Sequence, residues 1–101
     1  MNYDKFDPML KGYDIIIPVY NEKKIIRLLD YLFQNAKKYN LIFICYDSEQ
    51  DITVSLIKKS KYINLDQVKL LKNPHTGPCE AIKNGLKNST SEAAIIYPAD
   101  D

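Results

Sequence analysis

The sequence predicts an α/β domain built on a doubly wound parallel sheet, and three observations predict it. Ile15–Ile17, Leu41–Tyr46 and Ala93–Tyr97 are continuous apolar runs, joined by a shorter strand-like run at Val68–Lys72. Runs without a polar face suit strands covered by helices on both sides. Between them lie three segments with apolar residues at helical spacing. Strict alternation of this kind means a parallel sheet with right-handed crossovers. The predicted spatial order is 3-2-1-4, with Ala93–Tyr97 beside Ile15–Ile17. Sheets of this type bind ligands in the crevice beyond the carboxyl ends of their strands.

Asp14 to Glu22, reading D-I-I-I-P-V-Y-N-E, is the stretch around which the chain is organised. Pro18 lacks an N–H and ends the strand, and Val19 and Tyr20 lead out of the sheet. Asn21 is expected to cap the following helix, with Glu22 at its positive end. Ile25, Leu28, Leu29, Leu32, Phe33, Ala36 and Tyr39 then mark an amphipathic helix of about four turns, stopped by Asn40. The second strand leads into the acidic D-S-E-Q-D and a helix over Ile52–Lys61. Asn73–Pro78 is loop, with Pro78 suited to a first helical turn. In the helix that follows, Cys79, Ile82 and Leu86 form one stripe and Ala81 and Gly85 a small-residue face. Gly85 costs about 1 kcal/mol relative to Ala there, so a close approach of another backbone is expected at it. Asn88 to Glu92 is a turn. Residues 1–13 read as an irregular leader with a turn at Asp7-Pro8, and 14–101 as the domain.

The totals narrow the function. With 101 residues, 46% apolar and 27% charged, the chain is large enough for a core and too apolar for disorder. A net charge of +1 provides no basic footprint, so nucleic acid is not an expected partner. No apolar run approaches the ~20 residues that span a bilayer. No targeting pattern opens the chain. Cys45 and Cys79 match no zinc or redox spacing, and Cys45 reads as a small buried hydrophobe. This suits a reducing, cytoplasmic setting, with any membrane contact peripheral.

Chemistry is expected where strands end. Tyr20-Asn21-Glu22, Asp47 and Asp100-Asp101 all fall at carboxyl ends of strands. Carboxylates gathered there repel unless a hard divalent cation lies among them, and such a cation would in turn hold phosphate. There is no G-x-G-x-x-G after the first strand and no G-x-x-x-x-G-K-S/T, which argues against dinucleotide oxidoreductases and P-loop enzymes. His75, without a Ser or Cys partner, reads as a loop residue.

Four motifs in order, I-I-I-P-V-Y-N-E, Y-D-S-E-Q-D-I-T, N-x-x-x-G-x-x-x-A-x-x-x-G-L from Asn73 to Leu86, and Y-P-A-D-D, resemble the N-terminal half of a family-2 glycosyltransferase of the GT-A fold. Polyprenyl-phosphate sugar transferases are members of that family. The resemblance covers nearly all of the chain from Asp14 onward. It implies a Rossmann-like half-domain binding a UDP- or GDP-sugar for inverting transfer to an acceptor such as a polyprenyl phosphate or glycan. By the same resemblance, Tyr20 lies against the base, with Pro18 and Val19 supplying backbone. Asp47 accepts from the base ring N–H, and Glu22 and Gly77 complete the nucleotide site. Asp100 and Asp101 grip ribose and a divalent metal, Mg or Mn.

The chain differs from that pattern in carrying Tyr46-Asp47 and Pro98-Ala99-Asp100 where many relatives have paired Asp and Asp-Ala-Asp. Pro78 stands where a basic residue is common. The resemblance places the catalytic base and acceptor site after the last motif. A truncated chain, inactive in transfer by itself, is therefore expected, and its catalytic residue is unknown. Two other readings fit the fold: a nucleotidyltransferase, though P-V-Y-N-E is not its Gly-rich basic loop, and a non-catalytic partner-binding module.

Overall fold

The computed structural model describes residues 12–36, 39–91 and 93–99. Expectations for the leader before residue 12, for Glu92 and for Asp100 and Asp101 therefore lie outside the described residues. Four parallel strands, β1 (Tyr13–Pro18), β2 (Tyr39–Tyr46), β3 (Val68–Lys72) and β4 (Ala94–Ile96), form one sheet in the order β3-β2-β1-β4. Ile15 pairs with Ile95 and Ile16 with Ile96, as the sequence predicts. Helices α1 (Ile25–Asn35), α2 (Ile52–Lys58) and α3 (Pro78–Asn88) connect the strands.

Alternation along β1 divides the core. Ile15 and Ile17 join Ile42, Ile44, Ile25, Leu29, Leu32, Val54 and Ile57 on the face of α1 and α2. Ile16 packs with Phe43, Cys45 and Ala81 on the face of α3. Two crossovers thus run outward on one face and the third returns on the other. This makes the β1–β4 junction the point where strand order reverses. Cys45 is fully buried among apolar groups, which pushes its thiol up to about 12.

Local chemistry corrects three expectations. The first helix stops at Asn35, and Tyr39 and Asn40 belong to β2. Ala36 already has extended backbone, and its N–H closes the helix on the Leu32 carbonyl. Tyr39 instead sets its ring edge-on to Phe33, so its helical spacing reflects packing across the helix–sheet interface. The second helix stops at Lys58, because Ser60 donates to the Ile57 carbonyl and accepts from the Tyr62 N–H. A short 3-10 helix over Lys61–Asn64 follows, burying Tyr62, whose hydroxyl donates to Asp30.

The third correction concerns α3. Ala81 and Gly85 face the sheet, while Cys79 and Leu86 are exposed. The small-residue face wins because bulk at this interface is already supplied by Ile16. A methyl group on Gly85 would stand 2.5 Å from Ile16 Cγ2. The close approach inferred at Gly85 is real, but its partner is a side chain.

At the amino ends of the strands, the fully buried Asp14 accepts from the Leu41 N–H at 3.1 Å, Ser89 Oγ at 2.5 Å and Ser91 Oγ at 2.9 Å. One carboxylate thereby ties β1 to the start of β2 and to the α3–β4 connection.

Candidate nucleotide-binding crevice

The carboxyl ends of the strands enclose a crevice of roughly 540 Å³. The turn after β1 contributes Pro18, Val19, Tyr20 and Glu22, and the end of β2 contributes Asp47. The β3–α3 loop and first turns of α3 add Asn73, Gly77, Pro78, Ala81 and Ile82, opposite Ile96, Pro98 and Ala99. Every described member of the expected nucleotide site, Pro18, Val19, Tyr20, Glu22, Asp47 and Gly77, is on this lining.

The turn bearing Tyr20 is held by a neighbouring unit. Asn21 has a positive φ of 50°. A polar side chain capable of local hydrogen bonding tolerates that conformation better than most. Its N–H donates to Asp51 Oδ1 at 3.0 Å, and its side-chain Oδ1 accepts from the Ile52 N–H at 3.0 Å. The Glu22 N–H donates to Thr53 Oγ1 at 2.8 Å. Asp51 also caps α2 by accepting from the Thr53 N–H at 2.7 Å. Asn21 therefore caps α2, not the helix that follows it. At α1 the capping position is Lys24, with no side-chain hydrogen bond. Two βα units are laced together, and Tyr20 projects from a fixed base while remaining 74% exposed.

Asp47 is tied on the other side. Its Oδ1 accepts from Asn73 Nδ2 at 2.8 Å and its Oδ2 from the Gly77 N–H at 3.2 Å. Gly77 has φ 111°, which L side chains rarely adopt, and precedes Pro78 at the start of α3. A carboxylate offers about four lone-pair directions, so Asp47 retains acceptor capacity after these two bonds. Nearby, Tyr46 donates to Glu49 at 2.8 Å, and burial followed by that bond pushes its hydroxyl up to about 12.

Positive charge is sparse. Among the described residues, no Lys or Arg lines the crevice. The amino end of the 11-residue α3 is its positive feature. Lys23, Lys24 and Arg27 line a separate cleft of roughly 670 Å³ with Tyr31 and Tyr97, bordered also by Glu22. No cluster of three His, Cys, Asp or Glu that could hold a metal occurs among the described residues. Glu22 and Asp47 are the described carboxylates on the crevice, and the bonds already made by Asp47 leave them short of a hard-cation cage. Asp100 and Asp101, expected to hold a metal, lie outside the described residues.

The sequence reading missed Asn73 and Asp51. Asp51 carried a signal, since an Asp immediately before the apolar-periodic I-T-V is a helix cap. Asn73, read as loop punctuation, is buried and bonded at both ends of its amide, which a single sequence does not display.

Comparison with known proteins bears on the same residues. No curated protein and no solved structure matched the chain. The protein-family model described as glycosyl transferase family 2 matches residues 14–101, a span containing the crevice and all four strands but for Tyr13 at the start of β1. The chain belongs to glycosyl transferase family 2.

Proposed function

We propose that this chain is the donor-binding part of an inverting glycosyltransferase and holds a nucleotide-sugar in the crevice between β1, β2, α3 and β4. The observation that carries the reading is convergence. Separate elements deliver an exposed aromatic ring, an acceptor carboxylate with spare lone pairs and a helix amino end to one cavity at the strand-order reversal. Tyr20 would pack on the base, and Asp47 would accept from its ring N–H. Pro18, Val19, Glu22 and Gly77 would shape the ribose and phosphate path. Asp100 and Asp101 are assigned to ribose and a divalent cation, Mg or Mn, which would neutralise charge on the diphosphate. The donor is a UDP- or GDP-sugar, and the acceptor is of the polyprenyl-phosphate or glycan kind. No residue is assigned as the base.

Calorimetric titration of UDP and GDP into the wild-type chain, Asp47→Ala and Tyr20→Ala tests this. Losing the charged acceptor should weaken binding by about 1.5–3 kcal/mol. Tyr20→Ala should weaken binding without lowering stability, because the side chain is largely exposed. Unchanged affinity in Asp47→Ala would remove that residue from the site. Identical binding with Mg or Mn and with EDTA would reject the metal.

A further inference from the structure

We infer that Asn73 and Asn84 are positioning residues that set nucleobase specificity. They would fix how Asp47 presents its oxygens, favouring a base with a ring N–H over one with a bare ring nitrogen. The inference rests on the nucleotide reading above and adds residues to it.

An asparagine amide has two ends of nearly equal shape, one donating and one accepting, so its hydrogen-bond partners decide its direction. Asn73 is buried, and its Nδ2 donates to Asp47 Oδ1 at 2.8 Å. Its Oδ1 accepts from Asn84 Nδ2 at 3.0 Å. The same Asn84 Nδ2 donates to the Lys72 carbonyl at 3.1 Å. One turn along α3, Asn88 Nδ2 donates to the Asn84 carbonyl at 2.8 Å and to Asn84 Oδ1 at 3.1 Å. Backbone carbonyls can only accept, so Lys72 and Asn84 impose one direction on the whole chain of amides. Reversing Asn73 would set two acceptors face to face at Asp47 and at once remove the partner of Asn84. Such a mismatch is costly where water is scarce.

The relay consumes a defined part of Asp47. Oδ1 is engaged by Asn73 and Oδ2 by the Gly77 N–H, so what remains is acceptor capacity pointed by two fixed donors. Uracil and guanine carry a ring N–H that suits a carboxylate. Cytosine and adenine place a lone pair at the corresponding position, where it is repelled. With Asn73 gone, Asp47 can rotate about its own side chain, and that discrimination should fade.

The test is a set of dissociation constants for UDP, CDP, GDP and ADP, measured on the full chain with Mg present. Wild type is compared with Asn73→Ala and Asn84→Asp. The readout is the CDP/UDP or ADP/GDP ratio, because a merely structural role would weaken all four ligands alike. Wild type should favour the N–H-bearing base by about tenfold or more. Each variant should lose most of that ratio. An unchanged ratio in a folded variant overturns the inference. If Asn73→Ala does not fold, Asn84→Asp decides, since its site is only half-buried on α3. Equal wild-type binding of all four ligands also overturns the inference while leaving the nucleotide reading intact. Absence of binding by any of them defeats both.

Discussion

Replacing Gly85 with alanine sets two known effects against each other. The added methyl would lie 2.5, 2.8 and 2.9 Å from Cγ2, Cγ1 and Cδ1 of Ile16, where carbon atoms ordinarily sit about 3.5–4.0 Å apart. All three contacts fall on one β-branched side chain, stiff at χ1 and fully buried on a central strand. Overpacking of this sort costs roughly 1–3 kcal/mol, and helix propensity returns about 1 kcal/mol. With every close contact on so stiff a neighbour, the upper half of that range applies, and Gly85→Ala should lose about 1–2 kcal/mol. For a domain this size that lowers Tm by roughly 4–16 °C. Urea unfolding followed by circular dichroism measures it directly. Ile16→Ala removes all three clashing atoms, so it should cost less in the Gly85→Ala background than in wild type. A Gly85→Ala chain as stable as wild type or more so would refute the close packing of α3 on β1.

Two further outcomes follow from the turns and the core. Asn21→Gly keeps the left-handed backbone but loses the side-chain bond to the Ile52 N–H, whereas Asn21→Ala loses both. The alanine variant should be the less stable by about 1–2 kcal/mol in urea melts, and the reverse order would mean the φ of 50° carries no strain. Cys45 and Tyr46 titrate at about 12 in the fold, above ordinary values of 9.0 and 10.0. Between those limits the native state holds more protons than the unfolded one. Their contribution is therefore complete below pH 9 and lost as pH rises towards 12, visible as a falling urea midpoint.

What could be read in the sequence was whatever local pattern controls. Three adjacent isoleucines cannot form a half-polar strand, and alternation with helices then leaves few topologies, so sheet order and strand pairing were accessible. The gathering of Tyr20, Glu22 and Asp47 at one end of the sheet followed from that order. What escaped depended on partners far along the chain. Asn21 looks like a cap for α1 because α1 is next, yet its acceptor meets Ile52, brought beside it only by the parallel crossover. The faces of α3 were ambiguous for a related reason. Spacing marked an apolar stripe and a small-residue face without saying which meets the sheet, and the short helix-to-sheet distance over Ile16 chose Ala81 and Gly85.

The carboxylate of Asp14 has a bearing on how the crevice comes into being. Its serine partners lie 75 and 77 residues away, so this clasp, like the Ile15–Ile95 pairing of β1 with β4, closes a loop that spans most of the domain. Loop-closure entropy delays such contacts relative to the β1–β2 and β2–β3 pairings. The β4 ladder that follows the clasp has three residue pairs, against five for β1–β2 and five for β2–β3. The two walls of the crevice therefore differ in permanence. In amide-exchange measurements the wall of Ile96, Pro98 and Ala99 is expected to open before the wall carrying Tyr20 and Asp47.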